Sequence, residues 1–412
     1  MRNYEIHTLS NGIRIVHNHI TTTKIVHCGI MLDIGSRDEN ETNQGIAHFW
    51  EHMAFKGTRK RKAFHILNRL ESLGGELNAF TDKEKILFYA SLRDEYFERA
   101  VELLTDITFD SVFPESQITR ERQVILEEMS MYQDDPDDSM QDEFDAVIFA
   151  GHSLGMNTLG TEKTVKSFRR KDFKNFIKEN LDTRRIVFSS VGNIPMEKVV
   201  QLAERYMAGI PRLISRKKRT PYHGYKPKEV IQKRDTRQAR CAMGRTAFHL
   251  SHEKRSPFYM LTNILGGSGM NSRLNLALRE KHGYVYSIGA QFVPFTDTGL
   301  FVVSFGTDPD QLRKSIELIK LEMRKLKEDK LGVKQLAASK EQILGQIAMA
   351  EENNISFMMM MARNLLDMAR ITSLDEIFER VRNTTAPQLQ ALAVEMFKEE
   401  KMSYFIMEPE NK

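Results

Sequence analysis

Two stretches of this chain carry the same pattern, and that repetition constrains the fold more than any other feature. Leu87-Phe88-Tyr89-Ala90-Ser91 reads as a strand, followed by Asp94 and a helix through Glu102-Leu103-Leu104. Leu300-Phe301-Val302-Val303-Ser304 is followed in the same way by Asp308 and Glu317-Leu318-Ile319. A strand feeding an amphipathic helix is common, so the repeat alone is modest evidence for two similar halves. The length of 412 residues fits two domains of about 200 residues each. A boundary is expected between them, where Pro211, Pro221 and Pro227 surround the basic run Arg216-Lys217-Lys218-Arg219. Such a run reads as a solvated polar connector before it reads as a nucleic-acid contact. The division expected is therefore 1–210, a linker over 211–228, and 229–412.

The local signals in the first half are strong. Ile6 to Leu9 and Arg14 to His17 flank Asn11-Gly12, a hairpin signature. Ile25 to Ile34 is a β-rich run. Helical patterns follow from Gly45 to Phe55 and from Ala63 to Leu73, the second closed by Gly74-Gly75. Two strand-like pieces lie within Leu77 to Leu92. Amphipathic helices then run from Glu95 to Thr108 and from Glu115 to Tyr132, where Asp134-Asp135-Pro136 breaks the pattern. Strands followed by runs of helices predict an α+β fold rather than a parallel βαβ array.

Composition excludes several classes. Hydrophobic residues make up 41% and charged residues 28%, an ordinary globular balance. No run approaches the roughly 20 apolar residues of a membrane span, and the N-terminus lacks the apolar centre of a signal peptide, so a cytoplasmic protein is expected. The net charge of +4 is small for this length and argues neither for nor against nucleic acid; with the basic run read as a connector, neither a nucleic-acid nor a membrane partner is expected. The two cysteines, Cys28 and Cys241, sit in apolar stretches and read as buried thiols.

Chemistry concentrates in Gly45-Ile46-Ala47-His48-Phe49-Trp50-Glu51-His52-Met53. Residues four apart share a helix face, so His48 and His52 can aim imidazole nitrogens at one ion, and imidazole suits zinc. Glu51 stands close enough to address a water on that ion and take its proton. Two histidines at this spacing also occur in ordinary cores, so a third ligand is needed. Glu128, in Leu126-Glu127-Glu128-Met129 on a predicted helix, is a candidate. Glu121 lies two helical turns earlier on nearly the same face. Acidic residues on a long helix normally face solvent, a reading that fits Glu115 and Glu127.

Taken together, these residues resemble the inverted-zincin metallopeptidases, the family of pitrilysin, insulin-degrading enzyme and mitochondrial processing peptidase, and most closely its small two-domain bacterial members. The family pattern is His-x-x-Glu-His followed far downstream by a Glu ligand. His52-Met53-Ala54-Phe55-Lys56-Gly57-Thr58, His152-Ser153-Leu154-Gly155 and Leu159-Gly160-Thr161 extend the likeness over nearly the whole chain. The resemblance implies two α+β domains of related topology, each an antiparallel-rich sheet covered by helices, enclosing a cleft. It implies zinc, one per chain, on His48, His52 and Glu128, with Glu51 as general base and Glu121 as a supporting acid.

Further roles follow from the same likeness. Gly74-Gly75-Glu76-Leu77-Asn78-Ala79-Phe80-Thr81 resembles the family's edge strand, on which a peptide lies as an added strand, with Asn78 and Ala79 in contact. In the second half, which has no His-x-x-Glu-His, Arg279 and Tyr286 match a pair that reaches the substrate; Tyr284 is a rival for the phenol. The glycine cluster Gly266-Gly267-Ser268-Gly269 lacks the spacing of a nucleotide loop. Trp50 stands where a smaller aliphatic residue is expected. Met358 to Met361 reads as core filling. The implied function is zinc-dependent endopeptidase, the alternative a non-catalytic peptide-binding or scaffold subunit of such a protease. Family members of this size pair as homodimers or with a related subunit, so either partner fits beside the peptide substrate.

Overall fold

A computed structural model describes residues 4–215 and 217–410. Asn11-Gly12 makes the expected hairpin: β1 (Tyr4–Thr8) and β2 (Arg14–His19) pair antiparallel around Gly12, whose φ of 99° suits glycine. Asn11 also ties the turn down, donating from Nδ2 to the carbonyls of Met207 and Ile210. The strands β3 (Ile25–Leu32), β4 (Glu76–Thr81), β5 (Ile86–Arg93) and β6 (Ile186–Gly192) complete a six-stranded sheet in the order β1-β2-β6-β3-β5-β4. Only the β2–β6 pair is parallel. A second sheet contains β7 (Glu229–Arg234), β8 (Ala239–Ala247), β9 (Val285–Pro294), β10 (Gly299–Thr307) and β11 (Ser403–Pro409) in the order β7-β11-β8-β10-β9. Here the parallel pair is β7–β11.

The two sheets share one topology once β1 is set aside. The repeated Leu-Phe motifs fall on β5 and β10, each the penultimate strand beside an edge strand that precedes it in the chain. The fold is α+β with two related, antiparallel-rich sheets, as the repeat predicts.

The helices of the first half are α1 (Ile46–Ala54), α2 (Ala63–Glu71), α3 (Phe97–Phe109), α4 (Glu115–Asp134) and α5 (Pro136–Ile148). Apolar spacing on α1 sends Ile46, Phe49, Trp50 and Met53 into the core. The indole of Trp50 fills a gap between the rings of Phe88 and Phe176, at centroid distances of 6.3 and 6.4 Å. That leaves the His48, Glu51, His52 face for chemistry.

The compact units are not contiguous in sequence, which corrects the simple 1–210 and 229–412 division. One unit comprises residues 1–130, 156–219 and 349–372; the other comprises 131–155, 220–348 and 373–412. Each half thus gives a helix to the other's sheet. The Asn354–Met368 helix covers the outer face of the first sheet, burying Met358 and Met361 against Val16, Met31, Leu87, Val187 and Val191. Met359 and Met360 pack at its margin, so the methionine run is core filling. Helix α5 does the same for the second sheet, where Met140, Phe144 and Ile148 meet Leu300, Val302, Phe405 and Met407.

The expected solvated connector also needs correction. Arg216 lies outside the described residues and Lys217 and Lys218 are exposed, but the Arg219 side chain is largely enclosed, pairing with Asp33 at 2.9 Å and with Asp38 at 2.8 Å. Lys85 and Arg185 reach Asp33 as well, at 2.9 and 2.8 Å, and Lys85 bridges on to Asp367 at 2.7 Å. Burial pushes the Asp33 carboxyl up, but Arg219, Lys85 and Arg185 overwhelm that and hold it well below the usual range. Further along, Tyr222 donates to the Ile148 carbonyl and Tyr225 to the Lys401 carbonyl. Cys28 and Cys241 are free and buried. No helix among the described residues is long and apolar enough to cross a membrane.

Candidate metal centre

The sequence places two imidazoles on one face of α1, and the fold brings α4 alongside them. Nε2 of His48 lies 3.7 Å from Oε1 of Glu128, and Nε2 of His52 lies 3.5 Å from Oε2. Both separations are too long for good hydrogen bonds. They are close to the edges of a tetrahedron: ligands about 2.0–2.2 Å from zinc stand about 3.3–3.6 Å from one another. His48, His52 and Glu128 each offer an atom to a set whose members lie within 4.8 Å of one another. The buried Oε2 of Glu128 accepts no hydrogen bond, and burial pushes this carboxyl up. A desolvated carboxylate facing two imidazoles without a donor is an arrangement that a cation relieves. Burial and the neighbouring His52 push the His48 imidazole down to about 3, so it is neutral and its lone pair is available to a metal. The residues fit zinc.

Neighbouring side chains orient these candidate ligands. Glu121 accepts from Nδ1 of His52 at 3.3 Å and from the Lys56 ammonium at 2.8 Å. With the His52 proton held on Nδ1, Nε2 is left to face Glu128. Burial pushes Glu121 up, but the bonds from His52 and Lys56 prevail and hold it below the usual carboxylate range. Glu51 extends from the same helix face, and the Thr81 hydroxyl donates to its Oε2 at 2.6 Å. Burial pushes the Glu51 carboxyl up, Thr81 and His52 pull it back, and Glu128 adds to the rise. Thr81 is the last residue of β4, so the edge strand ends at the candidate base.

Asn78 and Ala79 lie on that edge strand, which pairs only with β5. Asn78 is exposed, and its Oδ1 accepts the N–H of Ala79 at 2.8 Å. Arg279 and Tyr286 belong to the other unit. Arg279 lies in the π-helical turn Asn275–Lys281, its guanidinium 5.6 Å from the centre of the Tyr286 ring. Both line a cavity of about 610 Å³ beside β9, together with Tyr259, Asn263 and Gly267. Tyr286 is 84% exposed, whereas Tyr284 is partly buried against His282, so the solvent-facing phenol is that of Tyr286. Thr81 and Lys56 escaped the sequence reading. Each stands in a quoted segment, but nothing local says which acid it meets.

The insulinase (peptidase family M16) model matches residues 14–162, and the peptidase M16 inactive-domain model matches residues 167–343. The uncharacterized zinc protease YmxG of Bacillus subtilis is 33% identical over 96% of both chains. This chain belongs to peptidase family M16. An uncharacterized zinc protease of Rickettsia felis is similar at 30% identity over 96% of this M16 chain and 95% of its own length. Among solved structures, a protease from Helicobacter pylori aligns with a TM-score of 0.90 at 21% identity, covering 99% of this chain and all of that one. A Pseudomonas fluorescens structure described as a peptidase M16 inactive domain aligns with a TM-score of 0.91 at 16% identity, over 99% of this chain and 98% of the other. These two likenesses carry the fold. The candidate metal-binding group His48, His52 and Glu128 lies wholly within residues 14–162, ahead of the segment matched by the inactive-domain model.

Proposed function

We propose that this M16 chain is a zinc-dependent endopeptidase acting on peptides or unfolded segments laid along β4 as an added strand. The convergence of His48, His52 and Glu128 carries the reading, and the description of its relatives as zinc proteases supports it. One zinc per chain is expected. Zinc held there supplies a Lewis acid for the scissile carbonyl and lowers the pKa of water.

The remaining work falls to the chain's own side chains. Glu51 takes a proton from the attacking water and later delivers one to the leaving amine. Its buried setting raises its basicity, and Thr81 holds one carboxylate oxygen so that the other faces the water. The free edge of β4 offers backbone groups to a substrate of any sequence, with Asn78 and Ala79 in contact. Arg279 binds a substrate carbonyl, and the exposed Tyr286 phenol donates to the developing oxyanion.

Metal analysis and a chelator-sensitive assay on a panel of unstructured peptides test this. Glu51→Gln should keep its zinc and lose turnover. Zinc-loaded protein that cleaves none of the peptides would instead favour a peptide-binding subunit.

A further inference from the structure

Helix α1 has only nine residues, carries both histidines, and begins at a glycine that has no side chain with which to cap it. Its first amide groups are satisfied from outside the helix. Glu39 is 6% exposed; its Oε2 accepts the N–H of Gly45 at 2.7 Å, and its Oε1 accepts the N–H of Ala47 at 2.8 Å. Ala47 adjoins His48. Both oxygens of one carboxyl group are thus committed to the start of the metal-binding helix; burial pushes this carboxyl up to about 8, and the amides of Ala47 and Gly45 pull against that rise.

A second clamp holds the same point. Gly45 has φ 91° and Gly160 has φ 85°, and the two backbones touch so closely that a Cβ on Gly160 would lie 2.4 Å from the Gln44 carbonyl oxygen. The Thr164 hydroxyl donates to that same carbonyl at 2.7 Å. With the following backbone fixed in this way, the Glu39 side chain decides how the first turn of α1 is wound.

We infer that Glu39 is a positioning residue for the metal: by bonding the amides of Gly45 and Ala47 it sets the direction of the His48 imidazole toward His52 and Glu128. This rests on the zinc reading above. Glutamine has the same shape but one acceptor, and it turns a donor against the other amide, so it disturbs the cap while leaving the volume filled.

The test uses full-length protein and measures zinc affinity by competition with a chromophoric chelator, together with the visible spectrum of the cobalt-substituted form. Glu39→Gln should bind zinc about 10- to 100-fold more weakly, the loss typical when a group supporting a ligand is removed, and its cobalt bands should shift. Met361→Ala, which leaves a cavity on the far face of the sheet, is the comparison for general destabilisation and should keep parental affinity and spectrum. Parental affinity and spectrum in Glu39→Gln would overturn the inference. So would an equal loss in Met361→Ala, which would reduce Glu39 to an ordinary stabilising residue. Failure of the parent protein to bind zinc at all would remove the metal reading itself, a result distinct from either.

Discussion

Replacing Lys85 by Met tests the account of the first unit most sharply. The Lys85 side chain is 1% exposed and bridges Asp33 and Asp367. Its loss affects the two carboxylates unequally. Asp33 keeps Arg185 and Arg219. Among the described residues no other cation pairs directly with Asp367; Arg363 directs its guanidinium to Asp82 and pulls on Asp367 only from a longer distance. Removing one partner of a buried pair costs about 3–5 kcal/mol, so urea unfolding at neutral pH should show a deficit of that size. For a unit of this size the same change lowers Tm by about 6–20 °C.

The pH dependence follows in sign. Burial already pushes Asp367 up against the pull of Lys85, and loss of the ammonium pushes it further. A carboxyl raised in the folded state favours folding while protonated. The Lys85→Met deficit should therefore be small near the ordinary carboxylate value of about 4 and grow as pH rises toward neutrality. Adding Asp367→Leu should recover at least half the loss, since the orphaned charge goes with it. A deficit below about 1 kcal/mol at neutral pH, or one that does not change with pH, would refute this reasoning.

Three further outcomes are expected. Thr81→Val should lower kcat about 10- to 100-fold with zinc content unchanged, and Thr81→Ser should restore it, because the lost bond to a charged group is worth about 1.5–3 kcal/mol; steady-state kinetics with metal analysis decides. Glu121→Gln should weaken zinc binding about 10- to 100-fold in a competition titration, since His52 Nδ1 loses its carboxylate acceptor. Gly160→Ala should destabilise the protein by at least about 1–3 kcal/mol in denaturant unfolding, because alanine there meets both a left-handed φ and the Gln44 carbonyl.

What could be read from the sequence was local or periodic. The Asn11-Gly12 hairpin, the boundaries of α1 to α4 and the repeated strands follow from turn chemistry and from spacing that two or three residues reveal. The His48–His52 pair belongs to this class, since a helix alone sets it. Arg219 looked solvated because its partners, Asp33, Asp38 and Glu84, come from distant parts of the chain. The same distance hides the bond from Thr81 to Glu51. The Asn354–Met368 helix announces an apolar face, but its pattern does not say which sheet receives it, so the exchange of helices could not be read. The resemblance supplied Glu128 as a ligand, and only the fold shows it facing both imidazoles.

That exchange has a consequence for how the protein must be made. Val16, Met31, Leu87, Val187 and Val191 line one side of the first sheet, yet the methionines that cover them are synthesised more than 150 residues after the last of these strands. A ribosome therefore exposes a sticky surface for much of translation, and a chain cut short before Asn354 would carry it permanently. The first half waits on a segment encoded in the second, whereas α5, encoded in the first, is already made when the second sheet emerges.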